Sequence, residues 1–290
     1  MTSGARIAVF AGAAGLALGA GALAGASLPT IHEDSGSRAH AVDGHGETSG
    51  RGDGMPAVPA AAGLAVSEGG LTLVPGRTGF AAGVDAHFRF RIVDSAGAAV
   101  DDMDIGHEKR MHLIVVSRDM AHYRHVHPEP QPDGSWAVPL RLPEAGVYRA
   151  YADFSRAGRS HTLATDLFVD GALRARSLPA PSATAGGEGY TATVTARRDG
   201  AGEVDLAYRV ATADGPVDDI EPYLGAAAHV VALREGDLAF THAHAEPRAG
   251  DPAGVRVAVA PPSAGRYRVF IQFRHDGAVR TVAHTIEVRP

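Results

Sequence analysis

The sequence predicts an all-β protein. Two tandem immunoglobulin-like or cupredoxin-like antiparallel β-sandwiches arise from an internal duplication and follow an N-terminal signal or anchor segment. Three observations carry that expectation. Beyond about residue 65 apolar residues alternate with a period of two, as in residues 87–93 and 136–142. Turns rich in Gly, Pro and Asp separate the short runs, and one block of motifs occurs twice in the same order. The 290 residues exceed the length of one such sandwich, about a hundred residues, and 45% hydrophobic with 21% charged residues can support two buried cores.

Composition removes several chemistries. The chain has no cysteine, which excludes disulfides, thiolate zinc sites, iron–sulfur clusters, cysteine nucleophiles and blue-copper centres. Ligands must therefore offer nitrogen, oxygen or thioether sulfur. A net charge of −6, with basic residues scattered among acidic ones, argues against nucleic acid or an anionic membrane surface as a partner. The 15 histidines are the compositional signal that remains.

Residues 1–28 come first. Arg6 precedes an uncharged run over residues 7–28 made largely of Ala, Gly, Leu, Ile, Val and Phe, the pattern of an export signal or a single membrane anchor. Small residues at 22–26 offer cleavage sites, so secretion and anchoring by residues 7–28 are both open, and either is extracytoplasmic. Residues 29–64 form a Gly-, Ser- and Asp-rich spacer that carries His32, His40 and His45 without periodicity. The first sandwich is expected over residues 65–175, a Pro-containing linker over 176–185, and the second sandwich over 186–290.

The repeated block contains the candidate chemistry. His112 opens an apolar run and is followed by His125-Val126-His127; His229 opens the corresponding run and is followed by His242-Ala243-His244, so His-x12-His-x-His recurs without a gap. Residues 112–117 and 122–127 read as a hairpin about a four-residue turn. In that register His112 faces His127, and residues two apart on a strand share a face, so His112, His125 and His127 converge. His229, His242 and His244 do the same. The shared face also bears Ile114, Val116 and Tyr123, or Val231, Leu233 and Phe240, and is expected to point into its own sandwich. Three imidazoles over an apolar floor, with an open fourth position, suit copper or zinc. Beside the first triad, Met103, His107, Met111 and Met120 add candidate ligands. Met103, His107 and Met111 fall against Ile220, Leu224 and Ala228, which cannot ligate, Met120 falls against Asp237, and thioethers favour Cu(I).

Other residues have structural readings. Tyr148 and Tyr267 each follow a Pro-containing corner and read as tyrosine corners of Greek-key sandwiches. Asp102 and Glu129, with the recurring Asp219 and Glu246, are candidate carboxylate partners for structural histidines. His161, His275 and His284 read as surface residues.

Residues 107–119 continuing to His125-Val126-His127-Pro128-Glu129, and residues 222–229 followed by His242-Ala243-His244, resemble the two signature stretches of exported tandem-sandwich proteins of actinobacteria related to YtkA-like domains. The likeness spans residues 65–290 and departs at Ala245, where the first copy has Pro128. It implies the tandem sandwich fold and an association with copper or heavy-metal handling.

These readings lead to an exported metal-binding protein that sequesters or delivers copper, with zinc as the alternative, without catalysis. Its expected partners are the metal ion and a membrane metal transporter, not nucleic acid, and it meets the membrane only through its N-terminal segment. The alternatives are a non-catalytic extracytoplasmic interaction module whose histidines are structural and, with less support, a copper-dependent oxidoreductase. Superoxide-dismutase-like chemistry lacks its disulfide and its further histidines here.

Overall fold

The computed structural model describes residues 61–198, 203–247 and 254–289, so the expected signal or anchor segment and the three spacer histidines lie outside the described residues. The described residues form strands and no helix, as the two-residue periodicity requires. In the first copy the strands are β1 (Ser67–Glu68), β2 (Leu71–Pro75), β3 (Gly79–Ala81), β4 (Asp85–Val93), β5 (His112–Ser117), β6 (Tyr123–Val126), β7 (Glu129–Pro130), β8 (Trp136–Arg141), β9 (Gly146–Arg156) and β10 (Arg159–Asp170). The second copy has β11 (Thr184–Gly187), β12 (Tyr190–Arg198), β13 (Val204–Thr212), β14 (Gly215–Pro216), β15 (Ala228–Arg234), β16 (Phe240–Pro247), β17 (Gly254–Val259), β18 (Gly265–His275) and β19 (Ala278–Val288).

The first copy folds as two five-stranded sheets, β1-β2-β4-β8-β7 and β3-β10-β9-β5-β6. Trp136, Phe88, Phe90, Leu113 and Val115 lie in the core between them. One pair departs from the antiparallel expectation: β3 runs parallel to β10, with Phe80 opposite Val169. In the second copy all strands join one path, β11-β12-β13-β17-β16-β15-β18-β19, with β14 on β13. The difference lies at Ala245. Pro128, which has no N–H for a ladder, separates β6 from β7. At the corresponding place Ala245 pairs with Ala228, and β16 continues until Glu246 opposes Arg256 of β17. Both tyrosine corners are present: Tyr148 donates its hydroxyl to the Glu144 carbonyl at 2.9 Å, and Tyr267 donates to the Ser263 carbonyl at 2.8 Å.

Strand β5 is buried at every position and β15 at all but its last, so each needs an apolar neighbour on both faces. Leu113 and Val115 face the first core, and Val230 and Ala232 face the second. Ile114, Val116 and Tyr123 pack instead against Val231, Leu233, Phe240 and Phe270 of the other copy. The histidine-bearing face therefore points at the other sandwich, which corrects the expectation that it points into its own. Alternation along a hairpin assigns residues to a common face but does not say which layer covers it.

The contact between sandwiches has a local two-fold pattern. Tyr123 stacks on Phe270 with ring centroids 4.1 Å apart, and its counterpart Phe240 stacks on Tyr151, the counterpart of Phe270, at 4.8 Å. Such reciprocal pairing is the signature of an isologous dimer, here carried within one chain. Residues 61–65 fasten the joint rather than ending a spacer. Ala62 bridges Phe240, and Arg149 donates to the carbonyls of Gly63 and Leu64. Gly63 has φ +70°, and a Cβ there would lie 2.6 Å from the Tyr151 ring, so glycine is required. The linker is pinned as well: Arg176 donates to Glu144 at 2.7 Å, and Leu178 packs on the apolar contact.

Because Phe270 is buried between the copies, Phe270→Ala is expected to destabilise the chain by about 3–5 kcal/mol in urea unfolding, the usual cost of emptying an aromatic site. A loss below about 1 kcal/mol would show that the sandwiches do not depend on this contact.

Candidate metal centre

At one end of the apolar contact the paired faces change from hydrocarbon to imidazole. On β5 the side chains on this face run Val116, Ile114, His112; on the returning segment they run Tyr123, His125, His127. Ile114 opposes His125 and Leu113 opposes Val126, so the register places His112 beside His127. In the second copy His229 opposes His244 and Val231 opposes His242. Each hairpin thus delivers three imidazoles, and the local two-fold sets the two groups against each other. In each group one ligand atom per histidine lies within 4.8 Å of the other two, and these groups are the ones able to hold a metal ion among the described residues.

Ring separations show how closely the six histidines are drawn together. Centroids lie 5.0–5.3 Å apart in the first triad and 4.6–5.9 Å apart in the second. Imidazoles bound at 2.0–2.1 Å around a tetrahedral ion have centroids about 5 Å apart. Separations between triads are similar, with His112 5.2 Å and His125 5.3 Å from His242. His107 joins them. It sits on a left-handed turn position, φ 49°, closed by the bridge between Gly106 and Lys109, and its ring stacks on His244 of the other sandwich at 3.4 Å.

Hydrogen bonds select which nitrogen of several rings carries the proton. Gln272 donates its amide to Thr281, turning its oxygen to His125, whose Nδ1–H donates to it at 2.8 Å. The lone pair of His125 is then on Nε2, where His112 Nδ1–H donates at 3.0 Å. His242 Nδ1–H donates to Asp153 Oδ2 at 2.8 Å, and Thr162 holds the other carboxylate oxygen. His229 Nε2–H donates to the Tyr223 carbonyl at 2.9 Å. Partners of this kind orient imidazole ligands and fix their tautomers. Four nitrogens remain buried and without a partner: His127 Nε2, His229 Nδ1, His242 Nε2 and His244 Nε2. Each such group costs about 1–3 kcal/mol of lost solvation. Four in one cluster are a large expense for a packing device, and an ordinary donor set for a cation.

Burial also keeps five of the rings neutral. It lowers the pKa of His112 and of His229 to about 4, of His127 to about 3 and of His244 to about 2, and it holds His125 well below its usual value. Neighbouring imidazoles add to the effect, His242 foremost for His112, His125 and His244. Neutral imidazole is the ligating form. Solvent reaches the cluster through a cleft of about 570 Å³ whose walls include Asp104, His107, Lys109, His112, Asp153, His242 and His244.

The structure thus gathers His107, His112, His125, His127, His229, His242 and His244 into one cluster, rather than one site in each sandwich. The methionines have other surroundings. Met103 and Met111 are buried in the first core and Met120 in the apolar contact between copies, so packing takes up the thioethers expected beside the first triad. Three of the suggested carboxylate partners are engaged away from the triads: Asp102 with Arg156, Glu129 with Lys109, and Asp219 with His275. Asp153 and Gln272 serve instead. They occupy equivalent positions, opposite His112 and His229, and each reaches the middle histidine of the other copy. Their available signal was a single polar residue within an otherwise apolar stretch of a long strand. His284, expected at the surface, is buried in the second copy within 3.2 Å of the Tyr208 hydroxyl.

The lowered values fix the sign of a pH effect. Between the folded values of 2–4 and the unfolded value near 6.5, the unfolded chain binds more protons. Stability is therefore full above about pH 6.5 and is lost as pH falls through the folded values. Between pH 7 and 5 the melting temperature of the metal-free chain is expected to drop by at least about 2–4 °C, the effect of about 1 kcal/mol in a chain of this size. A flat profile would mean that the imidazoles are solvated.

Comparison with known proteins locates the chain without assigning it a role. Among solved structures it is similar to the Escherichia coli adhesin FdeC, at 14% identity and TM-score 0.27 over 77% of this chain and 65% of that one. A Salmonella alpha-2-macroglobulin is similar at 15% identity and TM-score 0.28 over 78% of this chain and 15% of that one. Invasin, a bacterial integrin-binding protein, is similar at 14% identity and TM-score 0.23 over 76% and 40%. The chain spans less than two thirds of each of these structures. No curated protein matches it. One family model matches twice, over residues 66–171 and 183–290, and by these tandem copies the chain belongs to the family described as a domain of unknown function, DUF8832.

Proposed function

We propose that this is an extracytoplasmic metal-binding protein that holds copper at the joint between its two sandwiches, for sequestration or for delivery to a membrane transporter, and does no catalysis. The observation that carries the reading is the set of four buried, unpartnered imidazole nitrogens contributed by both triads. A structural role for the histidines accounts for the His125–Gln272 and His242–Asp153 bonds between sandwiches, but it leaves those four nitrogens without a use.

An all-imidazole donor set suits borderline cations. Copper leads the divalent series in affinity for nitrogen sites, and zinc is the alternative. With the methionines occupied in packing, the reason to prefer Cu(I) at the first triad falls away, and Cu(II) fits the donors present. Placement outside the cytoplasm rests on the uncharged run over residues 7–28.

The test is titration of untagged full-length protein with Cu(II) and Zn²⁺, beside a His127→Ala/His244→Ala variant. Neither ring has a hydrogen bond at Nε2 to lose, so the fold should survive. Outer partners alone are worth about 10–100-fold in metal affinity, and losing one ligand from each triad is expected to cost more than about 100-fold. Equal affinity in the folded variant, or no binding by the wild type, would overturn the reading.

A further inference from the structure

We infer that the two triads act as one dinuclear centre, in which a pair of metal ions shares a small bridging anion such as hydroxide. The inference rests on the metal-binding reading above and adds the number of ions, their coupling and a third component.

Geometry separates the six rings into two sets while keeping the sets adjacent. Ligand atoms converge within each triad, and the groups able to hold an ion are two threes. This favours two ions over a single six-coordinate one. Yet His242 stands as near to His112 and His125, at 5.2 and 5.3 Å, as those two stand to each other, at 5.3 Å. His112 also lies 6.2 Å from His229, and His125 lies 5.7 Å from it. Rings at these separations are direct neighbours, so the two donor sets share one compartment. The reciprocal pairing of the sandwiches sets the triads face to face.

Charge supplies the bridging anion. Six imidazoles bring no negative charge, and Asp153 is the carboxylate hydrogen-bonded to a triad histidine among the described residues. Two divalent ions held in one compartment repel four times as strongly as two unit charges at the same separation. An anion lying between them offsets that repulsion and fills the fourth position that three protein ligands leave open on each ion. Water can supply it, entering by the cleft beside His112 and His242 and releasing a proton to solvent as hydroxide is retained. A bound dication lowers the pKa of water to about 7.

The experiment is a Cu(II) titration of the full-length protein, read by bound metal per chain and by integrated EPR intensity. Two coppers are expected per chain, with the signal rising through the first equivalent and falling during the second as the bridged spins couple. Single-triad variants supply the control. His229→Ala/His244→Ala and, in a separate protein, His112→Ala/His127→Ala should each bind one copper with full intensity. If one variant fails to fold, the other answers the question. Two coppers giving the summed intensity of isolated ions, or one copper per wild-type chain, would overturn the dinuclear centre while leaving metal binding in place. No bound copper would overturn the metal-binding reading itself.

Discussion

Six imidazoles share a buried compartment between two sheets, and the arrangement of the protein follows from what that burial demands. Desolvation opposes protonation of His112, His125, His127, His229 and His244, so these rings are held neutral. Neutral rings must divide their nitrogens between donors and acceptors. Gln272, Asp153 and the Tyr223 carbonyl take some of the protons, which aims the opposite lone pairs inward. The compartment holds only while the sandwiches stay docked, and docking is the task of the aromatic and aliphatic contact next to it. Stability and the proposed ligation thus draw on one surface: hydrocarbon on half of its length, imidazole on the other half.

Duplication explains how such a surface arises from modest means. A single hairpin with three histidines on one face builds half a compartment, and reciprocal pairing with a second copy closes it. Tyr123 on Phe270 and Phe240 on Tyr151 are the same contact made twice. The copies have since diverged at points that touch the cluster. Asp153 is matched by Gln272, which gives one middle histidine a charged partner and the other a neutral one. His107 is matched by Leu224, and both keep the left-handed backbone, at φ 49° and 50°, so the turn was retained while the imidazole reaching across to His244 belongs to one copy alone.

Much of this was legible in the sequence, for identifiable reasons. The two-residue period gave the strands, the repeated His-x12-His-x-His gave the triads, and hairpin register put Ile114 opposite His125 as the spacing requires. The tyrosine corners followed from their Pro-containing approaches. What escaped was the layer above each hairpin, because an alternating pattern fixes a face and not its neighbour. The clue lay in strands apolar on both faces, β5 and β15, which cannot be the outer layer of an isolated sandwich. Reading each copy as self-contained also turned Met103, Met111 and Met120 into candidate ligands, although a buried methionine is ordinary core material. Asp153 and Gln272 stand out as polar residues in apolar stretches, but their roles escaped for the same reason: their partners lie on the other copy, more than eighty residues away in sequence.

The central claim is that metal is held between the sandwiches by both triads at once. Crystals of the full-length protein loaded with copper, measured at the copper absorption edge, test it most directly. Anomalous density between His112, His125 and His127 on one side and His229, His242 and His244 on the other is the expected result. Density confined to histidines outside the cluster, such as the exposed His87, or none after saturating copper, would contradict it.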